Sequence, residues 1–307
     1  MTGDLVIRAL RQDEARALFT SLPDPGLLGR ALLDPPRDAY LTVAEGGEYR
    51  PEWTWVALRG PRVVARAAFW GGPGDAEPVA LDWFDFTEPA AGRELLRRSP
   101  LRAEYVMILP PAWRERPAVR AAASARAEAA ADAGYRPLVE RYQYRWTPAA
   151  GLPERPGRLE FRPEPDDAAI LDLLCRVHAS TLDAHARRAA AGGGARRAAE
   201  EELAFFRWCP SPREWWRVAH TPDGRPAGLV IPARNRAAPI VAFAGVLPEA
   251  RGRGYGYDLL AECTHLLAAE GAERIVASTD MGNVPMARAF ERAGYPVVEH
   301  RFCMSPP

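Results

Sequence analysis

The sequence contains no lysine, and all 40 of its basic residues are arginine, balanced by 40 acidic residues. Because the formal net charge is zero, we do not expect the broad positive field that attracts nucleic acid or acidic membranes. No segment approaches the ~18 consecutive apolar residues of a membrane-spanning helix. The N-terminus also lacks the basic and apolar regions of a secretory signal. We therefore expect a cytoplasmic protein that binds neither nucleic acid nor membrane.

Cysteine is scarce as well, and its spacing excludes the common cysteine-based sites. Nearly half of the 307 residues are apolar, so the chain can bury a large core without disulfides. None of the four cysteines forms the C-x-x-C pair typical of metal or redox sites. We expect buried free thiols and no metal at these cysteines, which are Cys175, Cys209, Cys263 and Cys303.

The two halves of the chain follow the same order of patterns. Each half opens with a short strand and an acidic helix start, and each contains a hairpin pattern. The hairpin over residues 53–70 turns at Gly60, and the hairpin over residues 215–231 turns at Asp223. Each half then has an apolar strand, and each ends in Ala-Gly-Tyr followed by a last strand. The order and spacing predict two copies of one mixed α/β domain.

A segment rich in Pro, Gly and Ala lies between the halves and is typical of a linker. We place the linker at residues 149–157. The predicted domains are then residues 1–148 and residues 158–307.

The halves differ after the apolar strand. In the second half, the strand pattern at 239–247 leads into RGRGYG, residues 251–256, and then into leucines at helical spacing. The first half reads TEPAAGRELLRRSP at this point, without a glycine-rich loop. Because the first N–H groups of a helix have no intrahelical partner, such a loop can hold a pyrophosphate. Arg251 and Arg253 would add charged donors, although an arginine-rich surface turn would show the same composition.

The spacing Arg251-x-x-Gly254-x-Gly256 differs from the G-x-G-x-x-G of dinucleotide folds. It is similar to the R/Q-x-x-G-x-G/A signature of the GNAT acyltransferase superfamily. Downstream, a strand pattern and then a helix pattern that begins at Asn283 resemble a second block of that family. The resemblance implies an α/β (α+β) fold of two tandem GNAT-like mixed-sheet domains, the first degenerate and structural. Mycothiol synthase has this tandem architecture.

The resemblance also implies a function, an acyl-CoA-dependent N-acyltransferase. The donor would be acetyl-CoA or another acyl-CoA, and the acceptor would be an amine of a small molecule or peptide that reacts directly in a ternary complex. It stays open whether the acyl donor is bound to CoA or to an acyl carrier protein. It also stays open whether the protein is a monomer or a homodimer. The family places pantetheine along one strand and pyrophosphate on the loop, which gives the binding residues Ala244, Gly245, Val246, Arg251, Gly252, Arg253, Gly254, Tyr255, Gly256 and Asn283.

The sequence does not identify a catalytic side chain. Many members of the family carry a tyrosine acid where this chain has Phe290. Asp280, just past the last predicted strand before Asn283, and Asp183 are the candidates for a general base, and His178 and His185 lie near Asp183 in the sequence. An acyl-CoA-binding or sensing module without catalysis is the alternative function.

Residues 184–206 contain two helical patterns that flank three glycines. They predict either a mobile lid over the acceptor or a solvated loop. If the segment lines the pocket, its arginines favour an acceptor with negative charge. Trp208, Trp215 and Trp216 follow, and we expect them in the core of the hairpin. The identity of the acceptor and the length of the acyl chain are not readable from the sequence.

Overall fold

The computed structural model describes five stretches of the chain, residues 4–23, 26–29, 40–72, 74–235 and 237–307. The chain folds into two compact units, one formed by Met1–Glu140 with Glu299–Pro307 and the other by Arg141–Val298. The division therefore falls before the predicted linker at 149–157, and the last nine residues leave the predicted second domain. They do so because the C-terminal strand pairs with a strand of the first unit.

The described residues form twelve strands and seven α-helices. The strands are β1 (Leu5–Ala9), β2 (Thr54–Arg59), β3 (Arg62–Trp70), β4 (Ala80–Phe86), β5 (Glu104–Leu109), β6 (Arg136–Trp146), β7 (Glu160–Pro163), β8 (Arg217–His220), β9 (Pro226–Arg234), β10 (Pro239–Val246), β11 (Ile275–Asp280) and β12 (Val297–Ser305). The helices are α1 (Ala15–Thr20), α2 (Pro89–Arg98), α3 (Pro117–Asp132), α4 (Asp167–His178), α5 (Ala184–Trp208), α6 (Tyr255–Ala269) and α7 (Val284–Arg292). Among the described residues, none of these helices has the length and apolar character needed to cross a membrane.

In the first unit the strand order is β1-β2-β3-β4-β5-β12. Strands β4 and β5 are parallel, and the other neighbours are antiparallel. The predicted hairpin at 53–70 forms β2 and β3. Helix α2, which connects the two parallel strands, begins at Pro89 directly after a two-residue turn. Its buried residues, Leu95 among them, pack in one core with Phe69 and Leu81.

In the second unit the strand order is β7-β8-β9-β10-β11, followed by the end of β6. Strands β10 and β11 are parallel, and the other pairs are antiparallel. The predicted hairpin at 215–231 forms β8 and β9. The apolar pattern at 239–247 forms β10, and the leucines at helical spacing form the buried face of α6. The predicted mixed α/β fold is therefore confirmed.

Two expectations about residues 184–216 need correction. The segment 184–206 is not a solvated loop but belongs to α5, which is broken at Gly193 and Gly194, where Gly194 has a φ of +76°. Trp215 and Trp216 are buried as expected, but Trp208 is 58% exposed. Trp208 is the last residue of α5, and its ring stacks on the exposed ring of Phe205.

Candidate active site

Strands β10 and β11 diverge and open a gap in the sheet of the second unit. Their parallel pairing is limited to Ile240 opposite Val276, near the start of both strands. Strand β10 nevertheless stays paired with β9 on its other side as far as Val246. One edge of β10 is therefore available to a ligand over the second half of the strand.

The direction of the backbone groups along β10 identifies which residues face this gap. Leu247 N–H donates to Ala227 O on the β9 side at 2.9 Å. Since backbone groups alternate in direction along a strand, those of Gly245 also face β9, whereas those of Ala244 and Val246 face the gap. All three predicted pantetheine residues line one cavity, but only Ala244 and Val246 present hydrogen-bonding groups to it.

The glycine-rich loop connects β10 to the N-terminus of α6. Gly252 and Gly254 have φ values of +79° and +75°, in the left-handed region that favours glycine. Gly254 is the N-cap of α6 and offers no side-chain cap. The first amides of α6 are thus left for a ligand, and the helix dipole makes this end positive. This geometry suits a phosphate group.

Arg158 holds the back of the loop. Its guanidinium donates to the carbonyl oxygens of Arg253 at 3.0 Å and of Gly254 at 3.3 Å. It also forms an ion pair with the buried carboxylate of Asp258. Because the C=O and N–H of a trans peptide point in opposite directions, the N–H groups of Gly254 and Tyr255 point away from Arg158. Arg158 therefore orients the amides of Gly254 and Tyr255, which we call the anion cradle. No sequence motif identified Arg158.

The two loop arginines differ in their surroundings. Arg251 donates to Ser180, to O at 3.0 Å and to Oγ at 2.8 Å, and it also reaches the carbonyl oxygens of Val177 and Val246. It thus ties the loop to the end of α4, and a direct contact with phosphate stays a prediction. Arg253 is exposed, and its guanidinium has no polar partner within the described ranges.

Helix α7 forms another wall of the same cavity. Asn283 is its N-cap, as predicted, and its Oδ1 accepts a hydrogen bond from Met286 N–H at 3.4 Å. Arg288 and Arg292 are exposed side chains that line the cavity, and Arg292 lies 4.0 Å above the ring of Tyr257. We did not predict these two arginines. The two arginines are four residues apart and therefore lie on one face of the helix that begins at Asn283, and this spacing is the signal that could have identified them.

A single cavity of about 590 Å³ connects these features. It begins at the glycine-rich loop, passes the gap beside Ala244, and ends between α4, α5 and β10, where Val177, Leu182 and Phe243 provide apolar surface. An extended donor could lie along the gap with its reactive end facing the apolar end of the cavity.

Phe290 lines the middle of this cavity but belongs to the core. It is 2% exposed, and its ring stacks on Tyr144 with a centroid distance of 4.4 Å. It also contacts the ring of Tyr295 edge-on. The position often occupied by an acid in the resembled family therefore holds a packed apolar ring.

The two predicted carboxylate candidates are both engaged by the protein. Asp280 is the last residue of β11, 2% exposed, and does not line the cavity. It accepts a hydrogen bond from Ala184 N–H at 2.6 Å and pairs with Arg141 at 3.1 Å. Asp183 lines the cavity, but it caps α5 through Ala186 N–H at 2.8 Å and pairs with Arg141 at 3.2 Å. Burial raises the pKa of Asp280, with a further increase from Asp183.

Glu202 is a cavity carboxylate that we did not predict. Burial, and to a lesser extent Asp183, raises its pKa to about 8 against the opposing effect of Arg141. His178 lines the same end of the cavity, whereas His185 does not. Glu202 is half-buried and lies four residues before the buried Phe206. This position beside the apolar face of α5, where a carboxylate is unusual, was the signal in the sequence.

Comparisons with known proteins agree with this geometry. Residues 184–295 match the model of the acetyltransferase (GNAT) family. A GCN5-related N-acetyltransferase from Sphaerobacter thermophilus is similar over 98% of this chain and 94% of its own, at 16% identity and a TM-score of 0.56. A glucosamine N-acetyltransferase region of a fungal multi-domain GH3 β-N-acetylglucosaminidase covers 99% of this chain and 38% of its own, at 12% identity and a TM-score of 0.52. These likenesses support the fold alone.

A tandem GNAT protein from the clavulanic acid biosynthesis pathway covers 99% of this chain and 98% of its own, at 16% identity and a TM-score of 0.47. None of the curated proteins matches the chain.

Proposed function

We propose, on the premise that residues 184–295 match the model of the acetyltransferase (GNAT) family, that the chain transfers an acyl group from acyl-CoA directly to an amine. Acetyl-CoA is the donor we expect. The observation that carries the proposal is the continuous cavity of about 590 Å³ that connects the anion cradle, the exposed edge of β10 and an apolar pocket. Each part has the chemistry that one portion of the ternary complex requires.

The donor would occupy the first two parts of this cavity. We expect the pyrophosphate at the amides of Gly254 and Tyr255, and further phosphate contacts from Arg288 and Arg292 on α7. The amides of pantetheine would pair with the exposed backbone edge at Ala244 and Val246, as a strand pairs at the edge of a sheet.

The chemistry needs no nucleophile from the protein. The amine attacks the thioester carbonyl, so the protein contributes positioning and the removal of a proton. Backbone N–H groups of β10 that face the gap are suited to stabilise the negative charge that develops on the carbonyl oxygen. Phe290 cannot protonate the departing thiolate, so the thiolate leaves as the anion or takes a proton from solvent.

We also propose that the first unit is structural and lacks a donor site. Its helix α2 begins at Pro89, and the residue that precedes it is Glu88. The Glu88 carboxylate pairs with Arg59 at 2.7 Å and with Arg62 at 3.3 Å. Pro89 has no N–H to donate to a phosphate at this helix start, and the first half has no glycine-rich loop before it.

An assay of turnover tests the proposed function. Incubation of the protein with acetyl-CoA and a panel of primary amines should release free CoA thiol and yield an acetylated amine of matching mass. The matched control is a variant with a blocked cradle, Gly254→Val. Saturable binding of acetyl-CoA without product from any amine would support the binding or sensing module, an alternative that Phe290 favours.

A further inference from the structure

His178 is a buried imidazole whose ring nitrogens accept or donate no hydrogen bond among the residues that the structure describes. It is 5% exposed and lines the inner end of the main cavity. Neither Nδ1 nor Nε2 has a hydrogen-bond partner within the described part of the chain. Its ring lies 5.9 Å from the ring of Phe243, edge to face. Buried polar groups are nearly always hydrogen-bonded, so an imidazole that faces a cavity in this state indicates a ligand.

Glu202 lines the same end of the cavity, and one of its carboxylate oxygens also lacks a hydrogen-bond partner among the described residues. Its Oε2 atom is inaccessible to solvent and finds no hydrogen-bond partner in the residues that the structure describes. An unpaired buried carboxylate is costly unless a cation or a donor compensates for it.

The charged neighbours of Glu202 favour a cation as this ligand. Asp183 raises its pKa and Arg141 lowers it. The Arg141 guanidinium already pairs with both Asp183 and Asp280, so Glu202 retains an uncompensated charge when it ionises. On its other side Glu202 borders a smaller cavity, whose charged lining is His185, Arg188, Arg197 and Glu201.

The arginines of α5 are therefore not the charges that an acceptor would meet in the main cavity. Arg196 and Arg197 are exposed and pair with Glu200 and Glu201. Helix α5 contributes only Glu202 to the main lining, with its N-cap Asp183 beside it. The expectation of an anionic acceptor or carrier required these arginines to line the pocket, and none of the arginines of α5 lines the main cavity.

We propose that His178 and Glu202 form the acceptor subsite, and that it takes a primary ammonium group on an apolar body, with Glu202 as the general base. This inference rests on the proposed function, because the ammonium must lie beside the acyl donor. The apolar body would contact Val177, Leu182 and Phe243, which line the same end.

The proton balance of the step is simple. Glu202 carboxylate takes one proton from the ammonium, and the neutral amine then attacks the thioester carbon. The new C–N bond forms, the C–S bond breaks and the electron pair leaves on sulfur. The second proton of the attacking nitrogen goes to solvent, the thiolate takes a proton from solvent, and Glu202 also returns its proton to solvent.

The acid–base properties of both groups agree with these roles. A pKa of about 8 for Glu202 lies close to the working pH that suits a general base. Burial lowers the pKa of His178, with a smaller opposing effect from Asp183. The neutral imidazole can accept a hydrogen bond from the ammonium without repelling it.

The experiment measures binding rather than activity. A series of n-alkylammonium ions is titrated into the CoA-bound protein by calorimetry or ligand-observed NMR, beside the n-alkanols and n-alkylcarboxylates of equal length. We expect the ammonium ions to bind best, and Glu202→Gln to weaken them at least tenfold while leaving the alkanols unchanged. The matched control is Glu200→Gln on the same helix, whose side chain is exposed and paired with Arg196; it should change neither.

The pH dependence of the wild-type protein provides a second test without any variant. Alkylammonium ions keep their charge up to pH 9, as lysine does. Since Glu202 has a pKa of about 8, its ionised fraction rises about tenfold between pH 7 and pH 9. The affinity for the ammonium ion should rise by about the same factor.

Three results would overturn the inference. The first is that no alkylammonium ion binds saturably, and the second is that the protein binds the alkylcarboxylates more tightly than the ammonium ions. The third is that wild type and Glu202→Gln bind ammonium ions equally and that the affinity does not change between pH 7 and pH 9. Failure of the proposed function gives a different pattern, in which ammonium ions bind as expected but no amine is ever acetylated. Success in turnover with equal rates in Glu202→Gln and wild type would refute the general-base role alone.

Discussion

The substitution Gly254→Val tests the anion cradle. Gly254 has a φ of +75°, and a Cβ there would meet Arg158 only at 3.7 Å. The space would tolerate a side chain, so the strain comes from the backbone, where a left-handed conformation costs an L-residue about 1–2 kcal/mol. A β-branched residue relieves that strain by rotating the peptide, which moves the amides of Gly254 and Tyr255 away from the phosphate.

The expected loss of affinity follows from these two amides. A hydrogen bond to a charged group is worth roughly 1.5–3 kcal/mol, so the loss of two weakens CoA binding by about two to four powers of ten. Isothermal calorimetry with CoA measures the dissociation constant, and thermal unfolding shows whether the fold is retained.

Gly271→Val is the matched control at the other end of α6. Gly271 has a φ of +78°, and a Cβ there meets nothing within 4 Å. The variant carries the same backbone strain far from the cradle, so it should lose similar stability and keep its CoA affinity. A Gly254→Val protein that binds CoA within threefold of wild type, or a Gly271→Val protein that binds equally poorly, would refute the cradle.

Calorimetry should find one CoA per chain, because the first unit lacks a glycine-rich loop before α2 and this helix begins at Pro89; two equivalent sites would contradict this. Phe290→Ala should destabilise the fold by roughly 3–5 kcal/mol, whereas Phe290→Tyr should change turnover little, and a large gain with tyrosine would show that the site lacks only its acid. Burial raises the pKa of Glu202 from 4.5 to about 8, so the favourable contribution of protonated Glu202 to folding stability is complete below pH 4.5 and is lost as the pH rises through 8. Between pH 5 and pH 9 the wild type should therefore lose roughly 2–5 kcal/mol of unfolding free energy that Glu202→Gln retains. Chemical denaturation of both proteins at several pH values measures this difference, and parallel pH profiles would contradict the buried carboxylate.

The glycine-rich loop and the N-cap of α7, which form part of the proposed donor site, could be predicted from the sequence because local backbone requirements determine them. Gly254 must adopt a left-handed conformation, which favours glycine, and Asn283 must cap a helix, which favours a short polar side chain. Both requirements therefore produce a recognisable residue type at a fixed position in the sequence. The strand before the loop was equally visible as an apolar run. These features depend on neighbours along the chain, so the order of residues was sufficient.

The proposed acceptor subsite and the partners of several predicted residues depend on contacts between distant segments, so the sequence alone could not predict them. The sequence predicts Arg251 as a phosphate ligand, and it could not show that Ser180, just after α4, also accepts a hydrogen bond from this arginine. Asp280 looks like a free carboxylate, but Arg141 on β6 engages it. Glu202 looks like one more acid in an exposed helix, until the packing of Phe206 shows that its face is buried. The sequence also could not show that Glu299–Pro307 belongs to the first unit, because a strand has the same residue pattern whichever sheet it joins.

We propose that an acyl-CoA lies along the diverging edge of β10 and delivers its acyl group to the pocket beyond. A crystal structure of the protein with acetyl-CoA tests this most directly. We expect pyrophosphate at the amides of Gly254 and Tyr255, pantetheine beside Ala244 and Val246, and the acetyl group pointing toward Glu202. Density for CoA elsewhere on the chain, with the gap between β10 and β11 empty, would contradict it.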